Sequence, residues 1–367
     1  MVDESLLLPL AGLNVVEISG LECVAYAGLL LLQLGAQVMK VEPAGGDALR
    51  RRPPFAPGVE ESNDSASVPF GFLNAGKELT RYDVHDVGCV TRVLGEIQTA
   101  DILLVDHEAL RELSLEMPPR GARQLRVFVG LFGGSPEQSI PSSALTRLHA
   151  STSGYIIPAD ADERMRPAWP GPYIFECMHG VGIAVATLAE RDREEGGDVD
   201  YSLQSYGLWL DKLLFGRTST SGDEIHRNTA PYPYGGYLAC LDGFAALLVL
   251  EERQWRGLCV MIEKPEWLTD ERFKSGVLRN RNCAPIGEAL ADWCSRHSVD
   301  EVLEAARQAD VPAGRCRSPL AVLNSEIAAD RDFFLEQDTR IGKVRVPGLP
   351  FGPNFRGRIA GSNGSKV

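Results

Sequence analysis

Residues 13–43 constrain the fold of this 367-residue chain more than any other segment. A short buried strand over residues 15–18 is followed by an apolar helix over residues 25–34 and a second strand over residues 37–41. Strands joined by a single helix run parallel, so the segment predicts a doubly wound α/β sheet. Ligands of such sheets bind beyond the carboxyl ends of the strands, which is where residues 19–24 lie.

Strand and helix patterns alternate beyond this unit, as expected for one sheet built from successive β-α steps. A polar linker over residues 218–229 then indicates a domain boundary. After the linker, two apolar strands flank Leu241-Asp-Gly243, a strong hairpin signal that begins a smaller α/β unit. In the first part of the chain we predict strands over residues 79–83, 101–105, 125–131 and 199–202, a helix over residues 87–97, and a long helix over residues 181–194 that opens at Glu176.

The charge pattern narrows the range of partners. A formal net charge of −13 argues against nucleic-acid binding, because neutralising phosphates requires clustered Lys and Arg. The dense basic run at residues 50–52 fits either a small phosphorylated ligand or a solvated loop. The longest apolar run, residues 29–32, is far too short to span a membrane, and the N-terminus lacks the features of a signal peptide. We therefore expect a cytoplasmic protein with neither nucleic acid nor membrane as a partner.

The eight cysteines are scattered without any Cys-x-x-Cys pair. Such spacing suggests neither a disulfide framework nor a zinc site. We therefore expect reduced thiols and no bound metal.

Four sequence blocks, in their order and spacing, resemble the class III CoA-transferases. This family includes formyl-CoA transferase, carnitine CoA-transferase and the α-methylacyl-CoA racemases. The blocks are residues 34–43 with Gly46, Asp47 and Arg50; residues 72–77 with Asp83 and residues 100–101; residues 235–237 with residues 242–243; and residues 311–314 followed by residues 346–351.

The resemblance implies an overall organisation. It predicts a Rossmann-like large domain built from both chain ends, residues 1–217 and 318–367, and a smaller central α/β domain over residues 230–317. It also predicts two interlocked subunits, forming a homodimer or a heteromer with a homologous subunit.

The resemblance further implies CoA or acyl-CoA as a substrate, with no metal. Lys77, Arg50 and Arg111 stand where basic residues of the family lie near the nucleotide end of CoA. Asp106 and His107 follow the strand whose tip contacts CoA in the family. Each of these side chains is also compatible with an ordinary surface charge.

The resemblance implies transfer of CoA between two carboxylic acids. This reaction needs a carboxylate nucleophile, because attack on a thioester must give an anhydride that the departing thiolate can reopen. In the family this is an Asp within Asp-x-x-x-Gly at a helix start, where the helix dipole favours the anion. The matching acid is Glu176, four residues before Gly180 and one methylene longer than Asp. A gapless alignment instead places Pro172 at this position and leaves no nucleophile. Glu22 stands where transferases often carry Gln, which would alter the acyl pocket.

Two activities and one inactive role remain open. The first is a CoA-transferase acting on a small or medium organic acid, with Glu176 as nucleophile and backbone amides near residues 133–134 or 235–236 stabilising the oxyanion. The second is a non-catalytic CoA-binding subunit that pairs with an active homologous subunit.

The third reading is an acyl-CoA racemase, which needs an acid and a base beside the α-carbon. The sequence disfavours it, because the family's His position holds Leu145 and its Asp is the one that is missing. His149 and His179 lie nearby in sequence, and Glu251 matches a racemase carboxylate.

Overall fold

The computed structural model divides into two compact units. One is formed by Met1–Gly222 with Glu326–Val367, and the other by Asp223–Ser325. The predicted linker at residues 218–229 lies outside the described residues. The structure describes residues 8–56, 58–60, 63–64, 66–132, 171–192, 194–210, 234–339 and 342–348.

A parallel sheet forms the centre of the first unit. Its described strands lie in the order β3-β2-β1-β4-β5-β6, and every neighbouring pair is parallel. The strand order reverses between β1 and β4, the point at which such sheets bind ligands. The predicted doubly wound α/β fold is therefore confirmed. The strands are β1 (Asn14–Ile18), β2 (Gln37–Pro43), β3 (Glu78–Tyr82), β4 (Ile102–Asp106), β5 (Leu125–Gly130) and β6 (Gly197–Ser202).

Alternating side chains of the strands bury both faces of the sheet. Val15 joins the core beneath the helices α1 and α5, whereas Val16 and Ile18 join the core beneath α3 and α4. Glu17 belongs to the same face as Val15, so its carboxylate is directed into the layer beneath α1. The helices are α1 (Glu22–Gln33), α2 (Val68–Leu73), α3 (Val87–Thr99), α4 (His107–Glu112), α5 (Gly171–Glu190) and α6 (Leu203–Leu210).

The predicted start of the long helix is wrong. Helix α5 begins at Gly171 rather than at Glu176, and it ends at Glu190. Pro172 does not delay the helix, because proline fits the first helical turn, where its missing N–H has no intrahelical partner. Glu176 therefore lies in the second turn of α5, one turn beyond the electropositive end of its own helix.

The second unit packs helices against a small sheet. The predicted hairpin is present: β7 (Gly236–Cys240) and β8 (Gly243–Leu247) pair antiparallel, and β9 (Ala313–Arg315) adds to the β8 edge. The core includes Trp255, Leu258 and Trp293. Its helices are α7 (Glu252–Met261), α8 (Gly276–Arg281), α9 (Cys283–Ser295), α10 (Val299–Gln308) and α11 (Pro319–Leu323).

The last described segment returns to the first unit. A short helix, α12 (Glu326–Asp330), leads into a hairpin of β10 (Phe334–Thr339) and β11 (Gly342–Pro347). No helix among the described residues is both long enough and apolar enough to cross a membrane.

Candidate active site

The turn between β1 and α1 meets the end of β4 at the point where the strand order reverses. Asp106, the last residue of β4, accepts the Gly20 N–H with Oδ2 (3.1 Å) and the Ala109 N–H with Oδ1 (2.6 Å). One carboxylate thus caps α4 and ties the β1-α1 turn to β4. The sequence predicted that Asp106 follows this central strand, and the structure makes it the last residue of the strand. Its contact with CoA stays a prediction.

Helix α5 brings Glu176 onto this same turn. Glu176 is buried, with 1% of its surface exposed, and its Oε2 accepts the Cys23 N–H at 3.3 Å. One helical turn later, Gly180 lies against Cys23, where a Cβ atom would be only 2.8 Å from the Cys23 carbonyl oxygen. Residues four apart share a helix face, so the glycine permits close approach while the acid reaches the backbone amide.

The start of α1 provides the electrostatic setting of Glu176. The first amides of a helix have no intrahelical acceptor, and Leu21, the N-cap of α1, provides no side-chain acceptor. Glu176 accepts one of these amides, at the end of α1 where the peptide dipoles favour negative charge. The sequence predicted such a dipole from the helix that carries Glu176, whereas the structure supplies it from α1.

Glu22 and Glu176 lie close to the same thiol. Burial, together with the negative charges of Glu22 and Glu176, raises the pKa of Cys177 to about 12. Glu22 is buried and pairs with Arg52, whose side chain is 32% exposed. Cys177 is therefore a protonated thiol at neutral pH, and the nucleophilic candidates in this region are carboxylates.

His179, on α5, is fully buried among aromatic side chains. Its Nδ1 lies 3.3 Å from the Tyr201 hydroxyl, and its ring packs edge-on against Phe175. Burial also raises the pKa of Tyr201.

Glu251, the other residue considered for racemisation, is exposed in the second unit, where its N–H donates to Gln254 Oε1 (3.0 Å) at the start of α7. Leu145, His149 and residues 133–134 lie outside the described residues.

A buried group of four charged side chains lies beneath α1, and we call it the Glu17 cluster: Glu17, Lys40, Lys77 and Asp47. Glu17 accepts hydrogen bonds from Lys40 Nζ and Lys77 Nζ, each at 2.6 Å. Lys40 also pairs with Asp47 at 3.0 Å. Two cations and two anions balance, as burial away from water requires.

The pKa values of the cluster reflect its burial. Burial lowers the pKa of Lys77 to about 8, although Glu17 opposes this effect. For Lys40, the attraction of Glu17 and Asp47 outweighs burial and raises the pKa. For Glu17, burial acts to raise the pKa, but the two lysines outweigh it and the pKa is lowered.

Arg50 is held in a neighbouring buried pair. Its Nε and Nη2 donate to the two carboxylate oxygens of Glu42 at 2.6 and 2.7 Å. Its guanidinium also lies 4.0 Å from the centre of the Phe70 ring. Arg50 and Lys77, both predicted to hold CoA, thus have carboxylate partners within the protein, and their contact with CoA stays a prediction.

Arg111 and His107 lie on the short helix that follows β4. Arg111 is exposed, and its Nε donates to the His107 carbonyl at 3.3 Å. The His107 ring stacks on Phe128 with 5.2 Å between ring centres. Both side chains therefore lie near the carboxyl end of β4, where the sequence predicted CoA.

The Gly235–Gly236 pair lies in the second unit. Both residues have positive φ angles, 97° and 80°, and a Cβ on Gly235 would be 2.7 Å from the Leu247 carbonyl oxygen. Glycine is therefore required at residue 235 for backbone reasons alone. Stabilisation of the oxyanion by the backbone amides near residues 235–236 stays a prediction.

Sequence reasoning missed the roles of Glu17 and Lys40. A signal was present, because each is a single charge within an apolar strand, in Val15-Val-Glu-Ile18 and Val38-Met-Lys-Val41. Lys and Glu are almost never fully buried unless they are paired. The described part of the chain contains no group of three or more His, Cys, Asp or Glu side chains suited to a metal ion.

Comparison with known proteins extends over nearly the whole chain. The succinate–glutarate CoA-transferase of Agrobacterium fabrum is 25% identical over 365 residues, covering 93% of this chain and 88% of the relative. The alpha subunit of the succinyl-CoA–L-malate CoA-transferase of Chloroflexus aurantiacus is 23% identical over 360 residues, covering 93% and 82%. The crystal structure of Rv3272 from Mycobacterium tuberculosis shares the fold, with a TM-score of 0.73 at 21% identity over 94% of this chain and 92% of that one. The model of CoA-transferase family III matches residues 10–360, and the chain therefore belongs to that family.

Proposed function

We propose that this protein moves CoA between two carboxylic acids, with Glu176 as the nucleophile. The observation that carries the proposal is the hydrogen bond from the Cys23 amide to Glu176 at the carboxyl end of β1. It joins the acid that matches the family's motif to the edge of the sheet where ligands of such folds bind.

In the proposed reaction, Glu176 is the one protein side chain that forms a covalent bond with the substrate. Its carboxylate attacks the thioester carbonyl, the C–S bond breaks, and CoA thiolate leaves a mixed anhydride behind. The thiolate attacks the glutamyl carbonyl, releasing the donor acid and forming a glutamyl-CoA thioester. The acceptor carboxylate attacks that thioester to give a second anhydride. The thiolate then attacks the acceptor's acyl carbon, which gives the new acyl-CoA and restores Glu176.

The burial of Glu176 sets a condition on this mechanism. A thioester can reach the carboxylate only if the surrounding side chains shift when acyl-CoA binds. Glu22 and its partner Arg52 are suited to such a shift, because Arg52 is already partly solvated. We propose that this pair borders the acyl site.

The relatives suggest the class of acid. The proteins from Agrobacterium fabrum and Chloroflexus aurantiacus are named for succinate, glutarate and malate, which are small dicarboxylic acids. We propose acids of this size as donor and acceptor. The predicted cytoplasmic location stays a prediction.

Substitutions at residue 176 test the assignment. Glu176→Gln keeps the size of the side chain and removes the nucleophile, so turnover should fall by about 1,000-fold or more. Glu176→Asp restores the family's residue but withdraws the carboxylate by about one methylene, which should cost about 100-fold. Both are measured by acyl-CoA formation with purified protein. Full activity of Glu176→Gln would exclude Glu176 as the nucleophile.

A second candidate is a CoA-binding subunit that is inactive alone. The relative named as an alpha subunit favours it, as does the absence of the family's Asp. The two candidates differ in assembly. The first predicts that the purified chain is an active homodimer; the second predicts activity only with a homologous subunit. Size-exclusion chromatography with light scattering, followed by the turnover assay, separates them.

A further inference from the structure

Both lysines of the Glu17 cluster also bind the backbone of residues 19–25, which comprise the β1-α1 turn and the first turn of α1. Lys40 Nζ donates to the Ser19 carbonyl oxygen, and Lys77 Nζ donates to the Ala25 carbonyl oxygen, each at 2.7 Å. Glu17 accepts from both ammonium groups. Residues 19–25 are therefore bound at both ends by cations that one buried carboxylate keeps in place.

Neither lysine has a hydrogen-bond donor left for another ligand. A lysine ammonium has three N–H donors. Those of Lys77 are matched by Glu17 Oε2, the Ala25 carbonyl and Asn74 Oδ1, at 2.6, 2.7 and 3.1 Å. Lys40 has three oxygen partners as well: Glu17, the Ser19 carbonyl and Asp47. A phosphate could reach Lys77 only by displacing one of these buried partners.

The helix above leaves no room for a ligand beside the ion pair. A Cβ atom on Gly28 of α1 would lie 2.5 Å from Glu17 Oε2 and 3.1 Å from Lys77 Nζ. Even a methyl group does not fit at this point. The charges of Glu17 and Lys77 therefore act on the protein's own backbone.

The segment that the lysines hold also carries the amide bound by Glu176. Cys23 lies between Ser19 and Ala25, and its N–H donates to Glu176 Oε2. A displacement of a reacting group by about 1 Å can cost about 100-fold in rate. The position of this turn is therefore expected to matter for chemistry at Glu176.

We propose that Lys77, together with Lys40 and Glu17, is a positioning residue that fixes the β1-α1 turn against Glu176 and does not bind CoA phosphates. This proposal rests on the proposed function, in which Glu176 is the nucleophile. It separates Lys77 from Arg111, which is exposed and remains a candidate for the phosphate contact.

The test compares catalysis with CoA binding in three variants. In Lys77→Met, Glu17 keeps its partner Lys40, and we expect kcat to fall 10- to 100-fold while the Kd of CoA changes less than threefold. In Glu17→Gln, which keeps the side-chain volume, we expect the same pattern. The matched control is Arg92→Met, which removes an exposed arginine of the same unit and should change neither quantity. Binding is measured by calorimetry with CoA, and folding is checked by thermal unfolding.

Two outcomes would overturn the proposal. A tenfold or greater loss of CoA affinity in Lys77→Met with unchanged kcat would make Lys77 a CoA ligand. Unchanged kcat and unchanged CoA affinity in Lys77→Met would show that Lys77 has no role in the site.

A second measurement is independent of turnover and so distinguishes failure of this proposal from failure of the proposed function. Amide hydrogen exchange of residues 19–25 should rise at least tenfold in Lys77→Met, while exchange in β5 stays unchanged. If the wild-type chain has no activity alone but the exchange rises as expected, the proposed function fails and the positioning role stands. If exchange of residues 19–25 does not rise, the positioning role is wrong whatever the activity.

Discussion

Two charged regions flank the N-terminal half of α1, and they differ in what surrounds each acid. In the Glu17 cluster, the carboxylate lies between two ammonium groups that are fully buried. In the second region, which we call the acid pair, Glu176 accepts a backbone amide and Glu22 pairs with a partly solvated arginine. A hydrogen bond to a charged group contributes about 1.5–3 kcal/mol. The bond from the Cys23 amide to Glu176 belongs to this class, and Glu17 differs from Glu176 in accepting from two buried cations.

The difference indicates different roles for equally buried acids. If Glu17 bound a substrate instead, it would lose its charge-assisted hydrogen bonds with Lys40 and Lys77. Glu17 is therefore suited to holding the backbone of the β1-α1 region in place. Exchange of the Cys23 amide on Glu176 would not separate a buried ion pair, so Glu176 is suited to meeting a substrate. Burial alone does not separate the two cases, but the chemistry of the partners does.

Each region also depends on a glycine, and the two glycines make opposite kinds of space. Gly28 leaves room for a charge beneath α1, whereas Gly180 lets the backbone of α1 approach α5. Substitution of each glycine therefore tests one side of the comparison.

The largest expected effect is that of Gly28→Ala. The added methyl would displace Glu17 from its lysines, combining overpacking with a disturbed buried ion pair, so we expect a loss of about 3 kcal/mol in the free energy of unfolding. Urea denaturation measures it. Gly95→Ala, in α3 where a Cβ meets nothing within 4 Å, is the control and should be neutral or stabilising. A stable Gly28→Ala variant would mean that the cluster tolerates displacement.

The next effect is that of Gly180→Ala, which we expect to cost about 2 kcal/mol despite the better helix propensity of alanine. The new methyl would meet the Cys23 carbonyl and the Tyr26 ring, both 2.8 Å away. Pushing α5 from α1 also lengthens the Cys23–Glu176 contact, so turnover should fall more than stability alone explains. Unchanged turnover in the folded variant would show that close packing at Gly180 does not affect catalysis at Glu176.

A smaller effect is expected for Arg52→Met. Arg52 is partly solvated but its partner Glu22 is buried, so its loss should lower the free energy of unfolding by about 1–2 kcal/mol. If the acid pair borders the acyl site, KM for the acid should change while the Kd of CoA does not. Steady-state kinetics with varied acid concentration test this, and an effect on CoA binding alone would place Arg52 elsewhere in the site.

The last prediction is a dependence of stability on pH. The pKa of Lys77 is about 8 in the folded protein and about 10.5 in the unfolded chain. Between these values the unfolded state binds more protons, so the contribution of Lys77 to stability rises with pH. Lys40, whose folded pKa is raised, contributes fully below about 10.5, and Glu17 contributes above about 4.5, so neither changes in this window. Unfolding of the wild type and Lys77→Met should therefore diverge from pH 8 to 10, in favour of the wild type, and a constant difference would contradict the lowered pKa.

The family resemblance singled out Glu22 and Glu176, and their location in the fold follows local rules. An acid four residues before a glycine shares its helix face, and a β-α-β pattern places its turn at the edge of the sheet. The start of α5 was misjudged, because a proline-rich stretch reads as a loop although proline is compatible with a first helical turn.

The Glu17 cluster could not be predicted in the same way. Its members lie at residues 17, 40, 47 and 77, and Glu17 meets Lys40 only through the parallel register of β1 with β2. Register between strands joined by a helix is set by packing over the whole layer, which no short pattern specifies. The charges inside apolar strands were visible, but their partners were not.

The most direct test of the central claim is to trap the covalent intermediate. Wild-type protein is incubated with acyl-CoA and then with hydroxylamine, and the modified peptide is located by mass spectrometry. We predict a hydroxamate at Glu176 that depends on acyl-CoA and that is absent from Glu176→Gln. Modification of another carboxylate, or turnover without any trapped adduct, would contradict the account.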